Sequence, residues 1–383
     1  MRSGPLVLLI ALSGCQGPPN RVADDAGPQR NDAVVDAARA DAAVLTPHAS
    51  APIRGTYVVV TADPLVEIAE KMSALRRSVG YVTAVHRVSA LVPGPVQPRD
   101  LAAKVHRLLA DTAGVPPTHL LLLGDAPGPD EQTSGQIPAF PCTSHYGGCM
   151  TDNPYGDLDG DGLPDVAVGR IPARTPRQAT EYLERLEAHE RSFTPGPWNR
   201  RVSIYTERGG FGARVDALIE LGMMEGLKRV SHAFDIVGAY DNPNSQFFYT
   251  PYSEKVIDLF NQGNLFVFYV GHGLSGSTAG LDKGSLDAVH CGPRRPAVFF
   301  FACNNGAYVG PNDSIAEALL LRDRGAIVAF ASTDVSHPYG NASLLYEVTR
   351  HFLDGRPATF GEGLRRAKRA LMEHSDEFRQ ILD

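Results

Sequence analysis

The chain has 383 residues, of which 43% are hydrophobic and 21% charged; these proportions exclude disorder along its whole length and suit about two domains at ~150 residues each. Its 36 Lys and Arg against 43 Asp and Glu, a net charge of -7, lack the basic surplus expected of a nucleic-acid binder. Five Cys and one Trp are too few for a disulfide scaffold or for the aromatic belts of a polytopic membrane protein.

Arg2 followed by the apolar run Leu6–Leu12 has the make-up of an export signal and is too short to span a bilayer. The run ends in Leu12-Ser13-Gly14-Cys15, which resembles a bacterial lipobox; that resemblance implies cleavage and lipidation at Cys15, and the alternative is an ordinary secretory signal. With Gln16 rather than Asp after the Cys, likeness to Gram-negative lipoproteins implies a protein held at the outer membrane of the cell envelope, touching lipid through the anchor alone. Residues 16–51, rich in Ala and Asp and without aromatics, read as a disordered tether.

The folded part, 52–193 and 198–383, alternates strand and helix on either side of the Pro-rich joint Thr194-Pro195-Gly196-Pro197. In the first part, strands are expected at 56–61, 81–88, 119–123 and 166–168, with helices over 64–78, 99–112 and from the Thr175–Gln178 capping box to Arg191. In the second, strands are expected at 202–205, 233–237, 265–270, 297–301 and 326–330. Helices are expected over 213–228, 252–261, from Ser314 to Arg324, and over 341–353 and 359–373. Continuous apolar strands separated by helices point to parallel sheets covered on both faces.

Two strand ends carry chemistry. His272 follows the run Leu265–Val270 between Gly271 and Gly273, and Cys303 follows Ala297–Phe301 and precedes the loop signal Asn304-Asn305-Gly306. Sites in open α/β sheets form beyond the carboxyl ends of strands. A Cys nucleophile needs a base beside it, for which His is the usual partner, and flanking glycines let substrate backbone approach. Alone, the pair is weak evidence, because a Cys is more often a small buried hydrophobe.

The wider context resembles the gingipain-like cysteine peptidases, relatives of the caspase, legumain and separase group. The resemblance is carried by Phe268–Gly273, Phe300–Gly306, Asp313–Leu319 and Gly325–Thr333, with Thr151–Tyr155 and Asp165–Pro172 upstream, and it covers about residues 56–374. It implies a three-layer sandwich of mostly parallel sheets, a caspase-like catalytic subdomain preceded by a smaller α/β subdomain. It also implies a cysteine endopeptidase acting on proteins or peptides through an acyl-enzyme, without an organic cofactor. His272 would be general base, Cys303 nucleophile, and the amides of Gly273 and Cys303 the oxyanion hole. Asp152 would lie near the pocket for the residue before the scissile bond, where an acidic group selects Arg or Lys; the alternative is an Asp that holds a loop by hydrogen bonds. Ser332 and Thr333 would join the substrate side, and His337, in the loop that follows, is a further candidate for the cleft. Leu274 stands where gingipains proper carry Ser. The chain ends after its last helices without the immunoglobulin-like and sorting domains of many secreted relatives, so lipidation at Cys15 would replace that attachment. A catalytically silent binding protein and a transpeptidase or sorting enzyme with the same dyad are the alternatives.

The run Asp157–Asp165 places carboxylates at loop positions 1, 3, 5 and 9 (Asp157, Asp159, Asp161, Asp165) around Gly162 at position 6, a pattern that suits structural Ca²⁺. The EF-hand pattern fails at position 12, which is Val168; a hydrated Asp/Gly turn is the alternative. In an exported protein Cys142 and Cys149, bracketing a Gly-containing loop, read as a local disulfide; Cys291 reads as a buried free thiol, and His145 and His290 as structural histidines.

Overall fold

The β-branched run from Thr56 opens a strand, β1 (Thr56–Thr61), in the computed structural model, which describes residues 53–128, 135–144, 147–191, 193–209 and 233–373. Cys15, the tether 16–51, the helix expected at 213–228 and His145 lie outside the described residues. The first part continues with α1 (Val66–Ser78), β2 (Val82–Arg87), a short α2 (Val88–Leu91), α3 (Pro98–Ala110) and β3 (Pro117–Leu123). It closes with β4 (Phe140–Ser144), β5 (Gly147–Thr151), β6 (Ala167–Ile171) and α4 (Pro176–Arg191).

Strands β2-β1-β3-β6 form an all-parallel sheet in that order. Alternate residues leave a strand on opposite faces, and the core follows suit. Val59, Leu121 and Leu123 meet Ile68 and Met72 of α1 and Tyr182 and Leu183 of α4. Val58, Val60, Leu120 and Leu122 meet Leu101, Val105 and Leu109 of α3.

Beyond the Pro-rich joint a second sheet begins. Its elements are β7 (Arg201–Glu207), β8 (Asp235–Asp241), α5 (Tyr252–Asn261), β9 (Phe266–Val270), the two-residue strands β10 (Gly273–Leu274), β11 (Ser277–Thr278) and β12 (Leu281–Asp282), and β13 (Ala297–Phe301). It ends with α6 (Ile315–Leu321), β14 (Val328–Ala331), α7 (Pro338–Thr349) and α8 (Phe360–Glu373). The order β14-β13-β9-β7-β8 is again all parallel. Val267, Tyr269, Val298 and Phe300 pack on α5 and α6. Phe266, Phe268, Phe299 and Phe301 pack on the other side, against Val348, Phe352 and Ala367. Each sheet is thus the middle layer between helices, the expected three-layer α/β architecture.

Four details depart from the sequence reading. The stretch read as irregular between β3 and β6 holds an antiparallel hairpin, β4–β5. The strand expected at 233–237 lies at Asp235–Asp241, at the sheet edge. The helix capped by Ser314 ends at Leu321, not Arg324: Arg322 turns to extended backbone, and Gly325 lies so close to the Leu319 carbonyl that a Cβ there would sit 1.8 Å from the oxygen. The Thr175 cap is split as well. Gln178 N–H donates to Thr175 Oγ1, while the Gln178 side chain accepts from Arg174 N–H instead of closing the box.

The sheets are stitched by long-range polar contacts within one compact unit, Ala49–Asp383. Tyr182 Oη donates to Ile327 O at 2.9 Å, and Arg185 donates to Leu320 O at 3.0 Å. Arg174 spans Asp125 and Asp313. The last helix returns to the first sheet, where Lys368 Nζ donates to Asn153 Oδ1 at 3.0 Å.

Glu317, 4% exposed on α6, closes its capping box by accepting from Ser314 N at 2.8 Å and Ser314 Oγ at 2.9 Å. Its Oε1 is buried without a hydrogen-bond partner. Burial pushes the carboxyl up to about 7. A raised folded-state value gives stability that is complete below the ordinary carboxylate range and is lost as pH rises through about 7. Glu317→Gln should therefore melt a few degrees above the parent at pH 8 and alongside it at pH 5; equal melting temperatures at both pH values would disprove this.

Candidate active site

The two expected residues come from neighbouring strands. β9 and β13 are adjacent and parallel, with Val270 opposite Phe301. Each chain runs two residues past that pair, to His272 and to Cys303. Equal overhang from paired positions puts both side-chain origins at one height on strands ~4.8 Å apart. The loops touch directly: a Cβ on Gly273 would lie 2.2 Å from Cys303 O and 2.7 Å from Asn305 Oδ1. Only glycine fits, and the reason is steric, since a side chain would force the His loop off the Cys loop.

Glu207, at the end of β7 beside β9, was not legible as a site residue. Its Oε1 accepts the backbone N–H of His272. The Tyr269 hydroxyl lies 2.9 Å from that same oxygen and 2.6 Å from His272 O, and it accepts from Ala279 N–H at 3.2 Å. Burial raises the Tyr269 pKa, keeping the hydroxyl protonated as a donor. A Cβ on Gly271 would meet Tyr269 Oη at 2.6 Å and Glu207 Cγ at 2.8 Å. Carboxylate and phenol thus clamp the main chain of the His loop. The ring itself has Nε2 3.3 Å from Gly209 O. A carbonyl can only accept, so Nε2 carries the proton and Nδ1 is the basic nitrogen.

Cys303 is half-buried. Its Sγ lies 3.4 Å from Ser336 N, 3.6 Å from Ser336 O and 3.9 Å from Ser336 Oγ. The next residue, Asn304, adopts φ 58, a left-handed conformation that Asn tolerates better than most side chains. The turn is pinned by Asn304 N to Asp334 O at 3.0 Å and Gly306 N to Ser332 O at 2.8 Å. Ser336, the contact to the sulfur, was missed from sequence; it acts largely through its main chain, for which residue type gives no signal.

A cavity of about 870 Å³ is lined by Asp152, Ser332, Thr333, Ser336, His337 and Lys368, among others. The four expected substrate-side residues therefore share one space with a contact of Cys303. Asp152 does not offer a free carboxylate. Arg170 grips both its oxygens at 2.8 Å and donates as well to Gly124 O and Ile137 O. Thr333 Oγ1 donates to Met150 O at 2.7 Å, and Ser332 Oγ donates to Asp334 O at 2.7 Å. Thr333 thereby ties the β14 loop to the β4–β5 hairpin, whose directly opposed Cys142 and Cys149 form a disulfide. Cys291 is fully buried, and burial pushes its thiol up to about 12.

In the acidic loop, carboxylate oxygens of Asp157, Asp159 and Asp165 lie within 4.8 Å of one another. Asp161 turns elsewhere: Oδ1 accepts from Leu163 N and Oδ2 pairs with Arg369 at 3.3 Å. Asp157 accepts from Gly160 N and Gly162 N, and Asp165 from Leu158 N. Arg369 also reaches Asp165 Oδ1 at 3.2 Å. The first three carboxylates form a hard-oxygen donor set of the kind calcium takes.

A sequence model of peptidase family C25 matches residues 50–382. Among solved structures, the Arg-specific cysteine proteinase gingipain R is similar at a TM-score of 0.70 and 20% identity, over 87% of this chain and 77% of that one. The complex of the pro- and mature domains of RgpB from Porphyromonas gingivalis is similar at 0.69 and 20% identity, over 86% and 77%. At such identities the likeness is one of fold. No curated protein sequence matches the chain.

Proposed function

The chain belongs to peptidase family C25 and is a cysteine endopeptidase, and we propose that His272 and Cys303 are its catalytic dyad. The observation that carries this reading is the equal overhang of the two residues from the Val270–Phe301 pair, with Gly273 seated against Cys303 O. Nδ1 of His272 accepts the Cys303 proton. The thiolate then adds to the scissile carbonyl carbon, and the C=O pair moves onto oxygen, where the amides of Gly273 and Cys303 receive it. Collapse breaks the C–N bond, the amine leaves with the proton from His272, and water resolves the acyl-enzyme by the same steps. The Ser336 amide N–H faces Sγ at 3.4 Å. Asp152, Ser332, Thr333 and His337 form the substrate side, where Asp152, bound by Arg170, shapes the wall and does not act as a free charge.

Replacing Cys303 or His272 by Ala should lower turnover of a quenched fluorescent protein substrate by at least about 10³-fold with little change in melting temperature. Iodoacetamide should label Cys303 of the parent long before the buried Cys291. Near-parental turnover in Cys303→Ala would end the dyad reading.

The acidic loop, in this reading, holds Ca²⁺ through Asp157, Asp159 and Asp165 and serves stability. A ligand bound only by the native state adds about 2.7 kcal/mol at a hundredfold excess over Kd. Chelator should lower the melting temperature of the parent but not that of an Asp157→Asn, Asp159→Asn double variant. If parent protein melts alike with and without calcium, the loop is a turn and no more.

Cys15 is proposed as the lipid attachment point that holds the enzyme at the outer membrane, exposed to protein or peptide substrates. The support is the apolar run ending in Leu12-Ser13-Gly14-Cys15; among the described residues, no helix is long and apolar enough to cross a membrane. Cys15→Ala should move the protein from the membrane fraction to the soluble fraction in detergent-free extracts, and continued sedimentation with membranes would refute the anchor.

A further inference from the structure

We propose that Asn305 is a positioning residue for the oxyanion site: its side-chain amide fixes the hairpin that carries Gly273 onto the loop that carries Cys303. The proposal rests on the dyad and oxyanion reading above and assigns the part that aligns its two amides.

Asn305 is completely buried. Its Nδ2 donates to Leu274 O at 2.7 Å and to Ser277 O at 3.0 Å. Leu274 and Ser277 are register partners across β10 and β11, so one amide group grips both arms of the hairpin. Two carbonyl acceptors fix the orientation, because only the NH₂ end can face them. Oδ1 then points inward, buried and without a hydrogen-bond partner, 2.7 Å from where a Cβ on Gly273 would be. An unsatisfied buried acceptor opposes folding, and an apolar residue of similar size would avoid it. The amide makes mechanical sense only through what its donors hold.

The far arm of the hairpin is anchored by Thr278 to Tyr205 Oη at 3.3 Å and by Ala279 N–H to Tyr269 Oη at 3.2 Å, and β10 itself lies on the outer side. The Leu274 side chain is 69% exposed and packs on no core. Main-chain contacts also converge on this junction: Ile315 N donates to Ser275 O at 2.6 Å, Ala316 N to Asn305 O at 3.1 Å and Lys283 N to Gly276 O at 3.1 Å. The first turn of α6 therefore docks on both loops, and Asn305 links them to each other. Glu207 and Tyr269 clamp His272 from the other side. Without Asn305, His272 and Cys303 stay placed by their strands, whereas Gly273, one residue further out, loses its register with Cys303. Alternatives fail on geometry: Asp would set a carboxylate against two carbonyl oxygens, and Gln would need an extra methylene of space in a filled site.

The experiment separates the two kinds of chemistry available to Cys303. Alkylation by iodoacetamide needs the thiolate and its His but builds no oxyanion; amide hydrolysis needs all three. In Asn305→Ala, kcat on quenched fluorescent casein should fall by about 10²-fold, the scale of one lost oxyanion donor. KM and the alkylation rate of Cys303 should stay within about threefold of the parent. Asn305→Ser, which keeps a small polar group in the buried site, is made alongside, and melting temperatures of both are measured. Turnover within threefold of the parent overturns the proposal. So does a parallel fall in alkylation, which would make Asn305 a prop for the Cys303 loop in general, and so does failure of both variants to fold. The Cys303→Ala enzyme is the control for the underlying reading: if it still turns over, the dyad assignment is what has failed, whatever Asn305 does.

Discussion

The site depends on the pairing of β9 with β13. Parallel neighbours in register deliver their ends to the same level, so the loops that carry His272 and Cys303 leave the sheet at one edge. That register is held by the interior: Phe268 stacks on Phe299 at 4.9 Å, and Val267, Tyr269, Val298 and Phe300 lock the opposite face. A slip of a single residue would turn every one of these side chains to the wrong face, and would also move His272 off Cys303. Packing energy distributed over two aromatic-rich faces is thus what sets the level at which the His272 and Cys303 loops leave the sheet.

Around that fixed centre the polar contacts run mostly through main chain. Glu207 holds the His272 amide, Gly209 O meets the ring, Ser336 N–H faces the sulfur, and Asn305 binds two carbonyls. Main-chain groups are positioned by folding itself and lose no rotamer freedom when substrate arrives, which is the condition for preorganised electrostatic stabilisation. The glycines follow from the same crowding. Gly271 and Gly273 are fixed by neighbours that leave no room for a Cβ and not by any need for unusual dihedrals.

The same division explains what could be read from the sequence. Apolar runs such as Leu265–Val270 and Ala297–Phe301 announce buried strands, and Cys and His directly after them announce a site, because strand ends are where an α/β sheet presents chemistry. The β4–β5 hairpin was illegible: Pro141, Gly147 and Gly148 argue against a strand, and the pairing is held by a disulfide and by Thr333 from far along the chain. Glu207 is an ordinary polar end to a strand until its neighbour is known. Ser336 and Gly209 contribute atoms that every residue has. The shortened α6 came from a close approach of Gly325 to the Leu319 carbonyl, a tertiary fact that propensity does not carry.

Asp152 shows how a carboxylate can line a cavity without offering it a free charge. It lines the cavity, yet Arg170, whose side chain is 6% exposed, takes both carboxylate oxygens and is itself pinned to two carbonyls. A buried cation with that many partners is not displaced by an incoming side chain, since freeing Asp152 would strand Arg170 without its counter-ion. The pair therefore works as a rigid strut between β6 and the Thr151–Tyr155 segment, with Tyr308 over the guanidinium at 5.2 Å. Lys368 joins Arg54, Arg76 and Arg170 on the cavity wall, its pKa lowered to about 8 by burial. Asp334, hydrogen-bonded by Ser144, joins Asp152, Glu190 and Glu317 there and accepts from Asn304 N–H in the Cys303 loop. The Asp152–Arg170 pair thus gives this cavity a stiff, charge-compensated section of wall.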